Sequence, residues 1–355
     1  MSKYLWINAS LSQGGSERVM TTMANAFADQ GLDTAMALVR EGKAETYATS
    51  PRLRVIPFHY GTKNKTRIFL KRLRAIRKLV RAERPEAVIS FMWDINAVTL
   101  LACAGLGTRV IVSERAHPMM GHQNAFRQFT QKWLYRRAWK VVFQTEEVAR
   151  YFPRKVREKA VVIPNPIHPA LPEIWQGARE KEVVAIGRFV HQKNYPMLLR
   201  VFAAFSRKHP DWRMSIYGDG QGRAEMEKII REEGIGEKVR MPGFIPDVPG
   251  TIRKAGMYLN GSHFEGICNA MLEAMAMGIP CVCTDCPVGG AAMAITDRKN
   301  GRMIPLGDEE GFLAAMEEIA EKPDFAEKMG REAAKIRERF SIARIAEAWK
   351  QACGV

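Results

Sequence analysis

Apolar runs recur along the chain at intervals that suit strands alternating with helices. Tyr4 to Ala9 reads as a first strand, and others fall at Thr34 to Val39, Leu53 to Pro57, Ala87 to Phe91 and Arg109 to Ser113. Stretches of helical period separate them, the first opening at Gly14-Gly15-Ser16-Glu17-Arg18-Val19. The pattern restarts at Val183 to Ile186 and continues through Trp212 to Tyr217, Val239 to Phe244 and Met257 to Asn260. Helices are expected from Asp308 to Glu321, from Asp324 to Arg339 and from Ile342 to Cys353. Strand and helix in alternation predict an α/β fold with parallel sheets covered on both faces, whose ligands gather at the carboxyl ends of the strands. Between the two series lies Val161-Val162-Ile163-Pro164-Asn165-Pro166-Ile167, followed by Pro169 to Pro172. Prolines break both strand and helix, so this segment reads as a crossing between domains. The expected division is 1–170, 171–340 and a C-terminal helix, 341–355, that returns to the first domain.

A chain of 355 residues is too long for a single hydrophobic core, which agrees with two domains. With 46% hydrophobic and 26% charged residues, it has the composition of a globular protein in water. No apolar run approaches the length of a membrane span, and Met1 to Asn8 leads straight into a strand rather than a signal peptide, so a cytoplasmic location is expected. Cys281 and Cys283 alternate in a strand like core residues, and no second Cys or His cluster with ligand spacing accompanies them, so no metal site is expected.

The net charge of +16 calls for an anionic partner. Nucleic acid would satisfy it, but no recognition motif or aromatic-basic platform is present. An anionic membrane surface or phosphorylated substrates satisfy it equally well. Between Lys63 and Arg84 the basic residues, Arg72, Arg77, Lys78 and Arg81 among them, interleave with an apolar stripe of Ile68, Phe69, Leu70, Leu73, Ile76, Leu79 and Val80. This is a basic amphipathic helix whose apolar stripe is expected to pack on its own sheet with the charges outward, and Arg72, Arg77, Lys78 and Arg81 are the residues expected to face membrane or acceptor phosphates. A second basic segment begins at Arg127 and runs through Lys132, Arg136 and Arg137.

The chemistry concentrates in the second half. Ser262 to Asp285 reads as a strand end, a loop containing Glu265 and Gly266, a helix from about Cys268 to Met277 carrying Glu273, and a further strand. Eight helical residues span roughly 12 Å, about the reach from a sugar across a diphosphate to a ribose. The backbone amides of Gly266, Ile267, Cys268 and Asn269 at the helix start make an anion site. Earlier, the strand ending at Ile186 is followed by Gly187-Arg188-Phe189-Val190-His191-Gln192-Lys193-Asn194, whose two cations can hold a diphosphate from two sides. Two more segments follow apolar strands directly: Phe91-Met92-Trp93-Asp94-Ile95-Asn96 and Ser113-Glu114-Arg115-Ala116-His117-Pro118.

Glu265-Gly266 with Leu272-Glu273-Ala274-Met275-Ala276, preceded by the Gly187-Arg188 and Lys193-Asn194 pairs, resembles the E-x7-E signature of family-4 retaining glycosyltransferases with the GT-B fold. The order of motifs carries the resemblance over nearly the whole chain. It implies two doubly wound, Rossmann-like domains facing across a cleft, the first for an acceptor and the second for a nucleotide-diphosphate sugar. It implies that Glu265 lies beside the donor sugar, that Glu273 binds the ribose, and that Arg188 and Lys193 neutralise the leaving diphosphate. Gly14 and Gly15 would face the distal phosphate and the acceptor, Gly218 the nucleoside, and Phe244 the base. Many relatives carry a His after the strand that here ends at Ser113; Arg115 takes its place and His117 follows two residues on, so Glu114, Arg115 and His117 are placed in the cleft. Anomeric retention by a front-face route and independence of metal come with the family. Details of the motifs look most like enzymes that extend undecaprenyl-diphosphate-linked glycans with hexoses or N-acetylhexosamines, which implies a UDP-linked donor, a lipid-linked acceptor and the cytoplasmic membrane face. A sugar-nucleotide 2-epimerase of the same fold and a basic nucleic-acid-binding protein are the alternatives.

Overall fold

The computed structural model describes residues 3–12, 14–40, 47–62, 64–115, 125–168 and 170–354. They form two compact units, Met1–Pro166 with Ile342–Val355, and Ile167–Ser341. The first division lies a few residues before the expected boundary because the Ile167 amide already bonds the Phe340 carbonyl, 2.9 Å away, inside the second unit.

The first unit is built on a seven-stranded parallel sheet: β1 (Tyr4–Asn8), β2 (Thr34–Leu38), β3 (Arg54–Pro57), β4 (Ala87–Phe91), β5 (Arg109–Ser113), β6 (Lys140–Phe143) and β7 (Ala160–Val162). Their order is β3-β2-β1-β4-β5-β6-β7. Every residue of β1, β2 and β4 is buried, as the unbroken apolar runs require of strands covered on both faces. β6 was not foreseen, and β7 corrects the reading of Val161 and Val162 as linker: they pair with Val142 and Phe143 at the sheet edge.

Helices α1 (Gly15–Asp29), α2 (Lys65–Glu83), α3 (Trp93–Ala102) and α4 (Ala125–Leu134) connect strands of this sheet. Right-handed crossovers place α1, which leads towards β2, on one face, and α2, α3 and α4, which lead the other way, on the opposite face. The helix Ile342–Cys353 packs against α1. Its Trp349 is fully buried, stacked on Phe91 with ring centres 5.3 Å apart and tilted 5.8 Å from Trp6. Arg109 donates to the Cys353 carbonyl at 2.9 Å.

The basic helix α2 departs from expectation in how its stripe is used. Only Ile76 and Val80 are buried, while Phe69 and Leu70 stay exposed. Arg77 turns inward and donates to the carbonyls of Ala102 and Ala104, both at 2.8 Å, closing the end of α3. The Arg72 guanidinium lies 5.8 Å from the Tyr60 ring centre. Lys78 and Arg81 remain exposed.

The second unit carries six parallel strands, β8 (Glu180–Ile186), β9 (Arg213–Tyr217), β10 (Val239–Gly243), β11 (Ala255–Asn260), β12 (Cys281–Asp285) and β13 (Arg302–Pro305), in the order β10-β9-β8-β11-β12-β13. Its core joins Phe189, Phe202, Phe205, Met214, Met257 and Phe312. Cys281 and Cys283 are fully buried free thiols in this sheet. Among the described residues no group of three or more His, Cys, Asp or Glu side chains is placed to hold a metal ion, and no helix is long and apolar enough to cross a membrane.

Candidate active site

In the second sheet the strand order reverses between β8 and β11, so the crevice where ligands of such sheets bind opens between the loops that follow those two strands. Both halves of the sequence motif meet there. Gln192 fastens the two loops: its carbonyl accepts from the His263 amide at 2.9 Å, and its side chain donates to the Phe264 carbonyl at 2.9 Å. Across this seam Lys193 Nζ lies 2.6 Å from Glu265 Oε2, with both side chains largely buried. Ser262 Oγ sits 2.8 Å from the same carboxylate oxygen and 2.7 Å from Asn260 Oδ1.

The pocket beneath the pair is polar but enclosed. Lys193 Nζ also reaches Cys268 Sγ at 3.8 Å, and the Tyr258 hydroxyl is 3.6 Å from that sulfur. Burial alone pulls the Lys193 ammonium down; the Cys268 and Glu265 groups beside it outweigh burial and hold its pKa above the ordinary value. Burial pushes the Cys268 thiol up, and Lys193 opposes the shift. The result is a firmly charged lysine at the mouth of the loop, suited to meeting a diphosphate.

Arg188 follows β8 directly and is exposed, with no hydrogen bond or ion pair to its guanidinium among the described residues. Gly187, at φ 152°, could not carry a side chain: a Cβ would fall 2.9 Å from Lys193 Cε. Gly218 packs on the same loop, since a Cβ there would lie 2.1 Å from the Gly187 carbonyl oxygen. Phe244, just after β10, presents its ring to solvent at 66% exposure.

The motif helix spans Asn269–Ala276. Cys268 gives it no side-chain cap and its first turn holds no acidic residue, so the positive end of the helix is unopposed by carboxylate. Ile267 and Cys268 are buried, and the loop ending in Gly289-Gly290 presses on Gly266 so closely that a Cβ on Gly290 would meet its carbonyl oxygen at 1.8 Å. Glu273 lies on the buried side of the helix, one turn in, and has partners.

Two residues expected beside an acceptor are packed within the first unit. Glu114 is buried, accepting from the Tyr135 hydroxyl at 2.7 Å and from Gln131. Arg115 stacks over Phe91 at 4.2 Å, lies 5.8 Å from the Trp349 ring centre and donates to Asn165 Oδ1 at 2.6 Å. Burial pulls its pKa down to about 9, with Glu114 opposing the shift. Arg115 therefore ties Asn165, where the chain leaves the first unit, to Trp349, where it has returned, while its Nε and Nη2 are buried without a hydrogen-bond partner among the described residues. His117 lies outside the described residues. Gly14 caps α1, and the Tyr47 hydroxyl bridges its amide and carbonyl at 3.2 and 3.1 Å. Ser262, Tyr258 and Gln192 were missed by the sequence reading; Ser262 was within sight, three residues before Glu265, but nothing in its spacing marks it.

Comparison with known proteins agrees with this geometry. Residues 174–336 match the family model for glycosyl transferases group 1, and residues 14–166 match the glycosyl transferase 4-like domain. Over 98% of this chain and 97% of its own length, an α-1,4-N-acetyl-D-galactosaminyltransferase of Campylobacter jejuni, named for a GalNAc-GalNAc-diNAcBac-PP-undecaprenol substrate, is 26% identical. A second Campylobacter jejuni enzyme, an N-acetylgalactosamine-N,N'-diacetylbacillosaminyl-diphospho-undecaprenol 4-alpha-N-acetylgalactosaminyltransferase, is 26% identical over 69% of this chain and 70% of its own. Among solved structures, HepE of Anabaena in complex with UDP and glucose superposes over 100% of both chains with a TM-score of 0.84 at 16% identity. With both halves matched in order and the motif loops joined at the strand-order reversal, the chain belongs to the group 1, family-4-like glycosyltransferases and has their GT-B fold.

Proposed function

We propose that this glycosyltransferase moves a hexose or N-acetylhexosamine from a UDP-linked donor to a lipid-linked glycan, with retention of configuration and without a metal ion. The observation that carries this reading is the Lys193–Glu265 pair bridging the two loops, with Arg188 exposed on the same loop as Lys193. The Campylobacter jejuni relatives, named for undecaprenol-linked substrates, support the acceptor class, and the UDP in the HepE complex supports the donor.

As the bond from the anomeric carbon to the diphosphate oxygen breaks, negative charge builds on the leaving group. Arg188, Lys193 and the start of the helix Asn269–Ala276 meet that charge, and they stabilise the transition state more than the ground state. Two side-chain cations supply what a divalent ion would supply elsewhere. The acceptor oxygen bonds to the same face of the carbon, and its proton passes to the departing phosphate oxygen. Glu265, released from Lys193 as the diphosphate arrives, is left facing the sugar, and Glu273 takes the ribose.

The first unit fits a membrane-bound acceptor. α3 packs between α2 and α4 on one face of the sheet. On α2, Phe69 and Leu70 are exposed, and so are Lys78 and Arg81 further along the helix; on α4, Phe129 and Trp133, one turn apart, are 68% and 45% exposed. Exposed aromatics among basic residues suit the interface of an anionic bilayer, which supports the reading of a peripheral enzyme at the cytoplasmic membrane face.

The donor reading is tested by thermal shift of the full chain against UDP, GDP, ADP and their sugar conjugates. Stabilisation by UDP and by one or more UDP-sugars is expected. No response to any nucleotide would overturn it.

A further inference from the structure

Beside Lys193 stands a buried polar atom with no hydrogen-bond partner among the described residues, the Tyr195 hydroxyl. Tyr195 opens the helix Tyr195–Lys208, directly after Asn194, whose left-handed φ of 52° turns the chain out of the Lys193 loop. The residue is 3% exposed, and its ring stands edge-on to Phe189 with centres 5.3 Å apart, so it has little room to turn. Its tip and that of Lys193 close on the same glycine: a Cβ on Gly187 would fall 3.0 Å from the Tyr195 hydroxyl oxygen and 2.9 Å from Lys193 Cε. The two groups act on each other across that gap, for burial raises the Tyr195 pKa and Lys193 opposes the rise.

A buried hydroxyl left unpaired costs free energy that a phenylalanine with the same ring would avoid. What it offers is a bond that forms in another state, and Lys193 is the group that needs one. An ammonium has three N–H donors. Among the described residues its one short bond goes to Glu265 at 2.6 Å, and Cys268 Sγ at 3.8 Å is a weak second. Arrival of a diphosphate draws Glu265 away from the ammonium. A lysine on its flexible four-carbon stem then has only the sulfur contact to fix its direction. The Tyr195 hydroxyl, held still by its packing, has two lone pairs to accept the donor that Glu265 gives up.

We propose that Tyr195 is a positioning residue: when the donor binds, its hydroxyl accepts from the Lys193 ammonium and aims the remaining N–H groups at the diphosphate. No proton changes hands. This rests on the glycosyltransferase reading above.

The test titrates UDP by calorimetry into the full chain, Tyr195→Phe, Lys193→Gln and the double variant, with the melting temperature of each taken without ligand. Tyr195→Phe should bind UDP about ten-fold more weakly, the loss of one hydrogen bond to a charged group, while its ligand-free melting temperature equals that of wild type or exceeds it. In the Lys193→Gln background the same substitution should make no further difference to UDP affinity. Equal UDP affinity in Tyr195→Phe and wild type overturns the role, and so does a weaker affinity that comes with a lowered melting temperature. A second ten-fold loss on top of Lys193→Gln overturns it as well, since Tyr195 would then meet the ligand without Lys193. Should Lys193→Gln not fold, the opposed responses of affinity and melting temperature in Tyr195→Phe decide alone. Failure of wild type to bind UDP would instead sink the donor reading on which the proposal rests.

Discussion

Arg188 and Lys193 carry the same charge toward the same task but stand in different surroundings, and substitution should separate them. Arg188 is exposed and has no partner among the described residues, so Arg188→Ala should lower kcat by about 10²–10³-fold and leave the melting temperature unchanged. Lys193 is enclosed and paired, so Lys193→Ala strands the Glu265 carboxylate and should also reduce stability by roughly 3 kcal/mol. Kinetics and thermal unfolding on both variants decide it, and a fully active Arg188→Ala would remove that residue from the mechanism. Both cations were legible in the sequence because each follows a strand end at a spacing set by one loop. Glu114 and Arg115 looked equally legible, but their surroundings were not. The chain shows a charged pair after β5; it does not show that Tyr135 and Trp349, distant in sequence, enclose them. The Tyr195 hydroxyl was invisible for a related reason, since only the fold encloses it beside Lys193.

Among the elements, long apolar runs were read well and short edge pieces were not. β7 has three residues and two prolines close behind, too little for any period to show, and only its pairing with β6 makes it a strand. α2 was recognised as a helix, but pattern alone put its whole stripe on the sheet, whereas only its second half packs there. The helix Ile342–Cys353 binds its unit mainly through Trp349, and Trp349→Ala should cost about 3–5 kcal/mol, read as a lowered melting temperature. The loops after β8 and β11 carry a pH dependence of their own. His191 and His263 face each other with ring centres 4.7 Å apart, and Glu225 lines the same pocket. Burial first, and His191 second, hold the His263 pKa below its ordinary 6.5. The unfolded chain then takes up the proton more readily, so stability is full above that value and falls as pH drops below it. Amide protection in these loops, with exchange corrected for its intrinsic pH dependence, should fall as pH drops below 6.5, and His263→Gln should flatten the response; an unaltered pH profile in that variant would exclude the histidine pair.

For the molecule as a whole, the excess of 16 positive charges is the property a membrane would read first. Binding to vesicles containing phosphatidylglycerol should be strong at low salt and weaken as salt screens it, with neutral phosphatidylcholine vesicles bound poorly. Each basic residue near such a surface contributes about 1 kcal/mol, so Lys78→Glu with Arg81→Glu should weaken binding at least about thirty-fold. Phe129→Ser with Trp133→Ser should remove the part that salt does not. Unchanged sedimentation of both double variants would place the contact elsewhere. The two-unit plan was legible from the repeated alternation of strand and helix, while the sharing of one unit between both ends of the chain rests on Trp349 and its neighbours. That sharing has a consequence for birth on the ribosome. Domains ordinarily fold in the order they emerge, yet here Trp6 and Phe91 wait with an unfilled socket until the entire second unit has been translated. The unit made first is finished last, and a nascent chain stalled before Trp349 would expose those rings to chaperones.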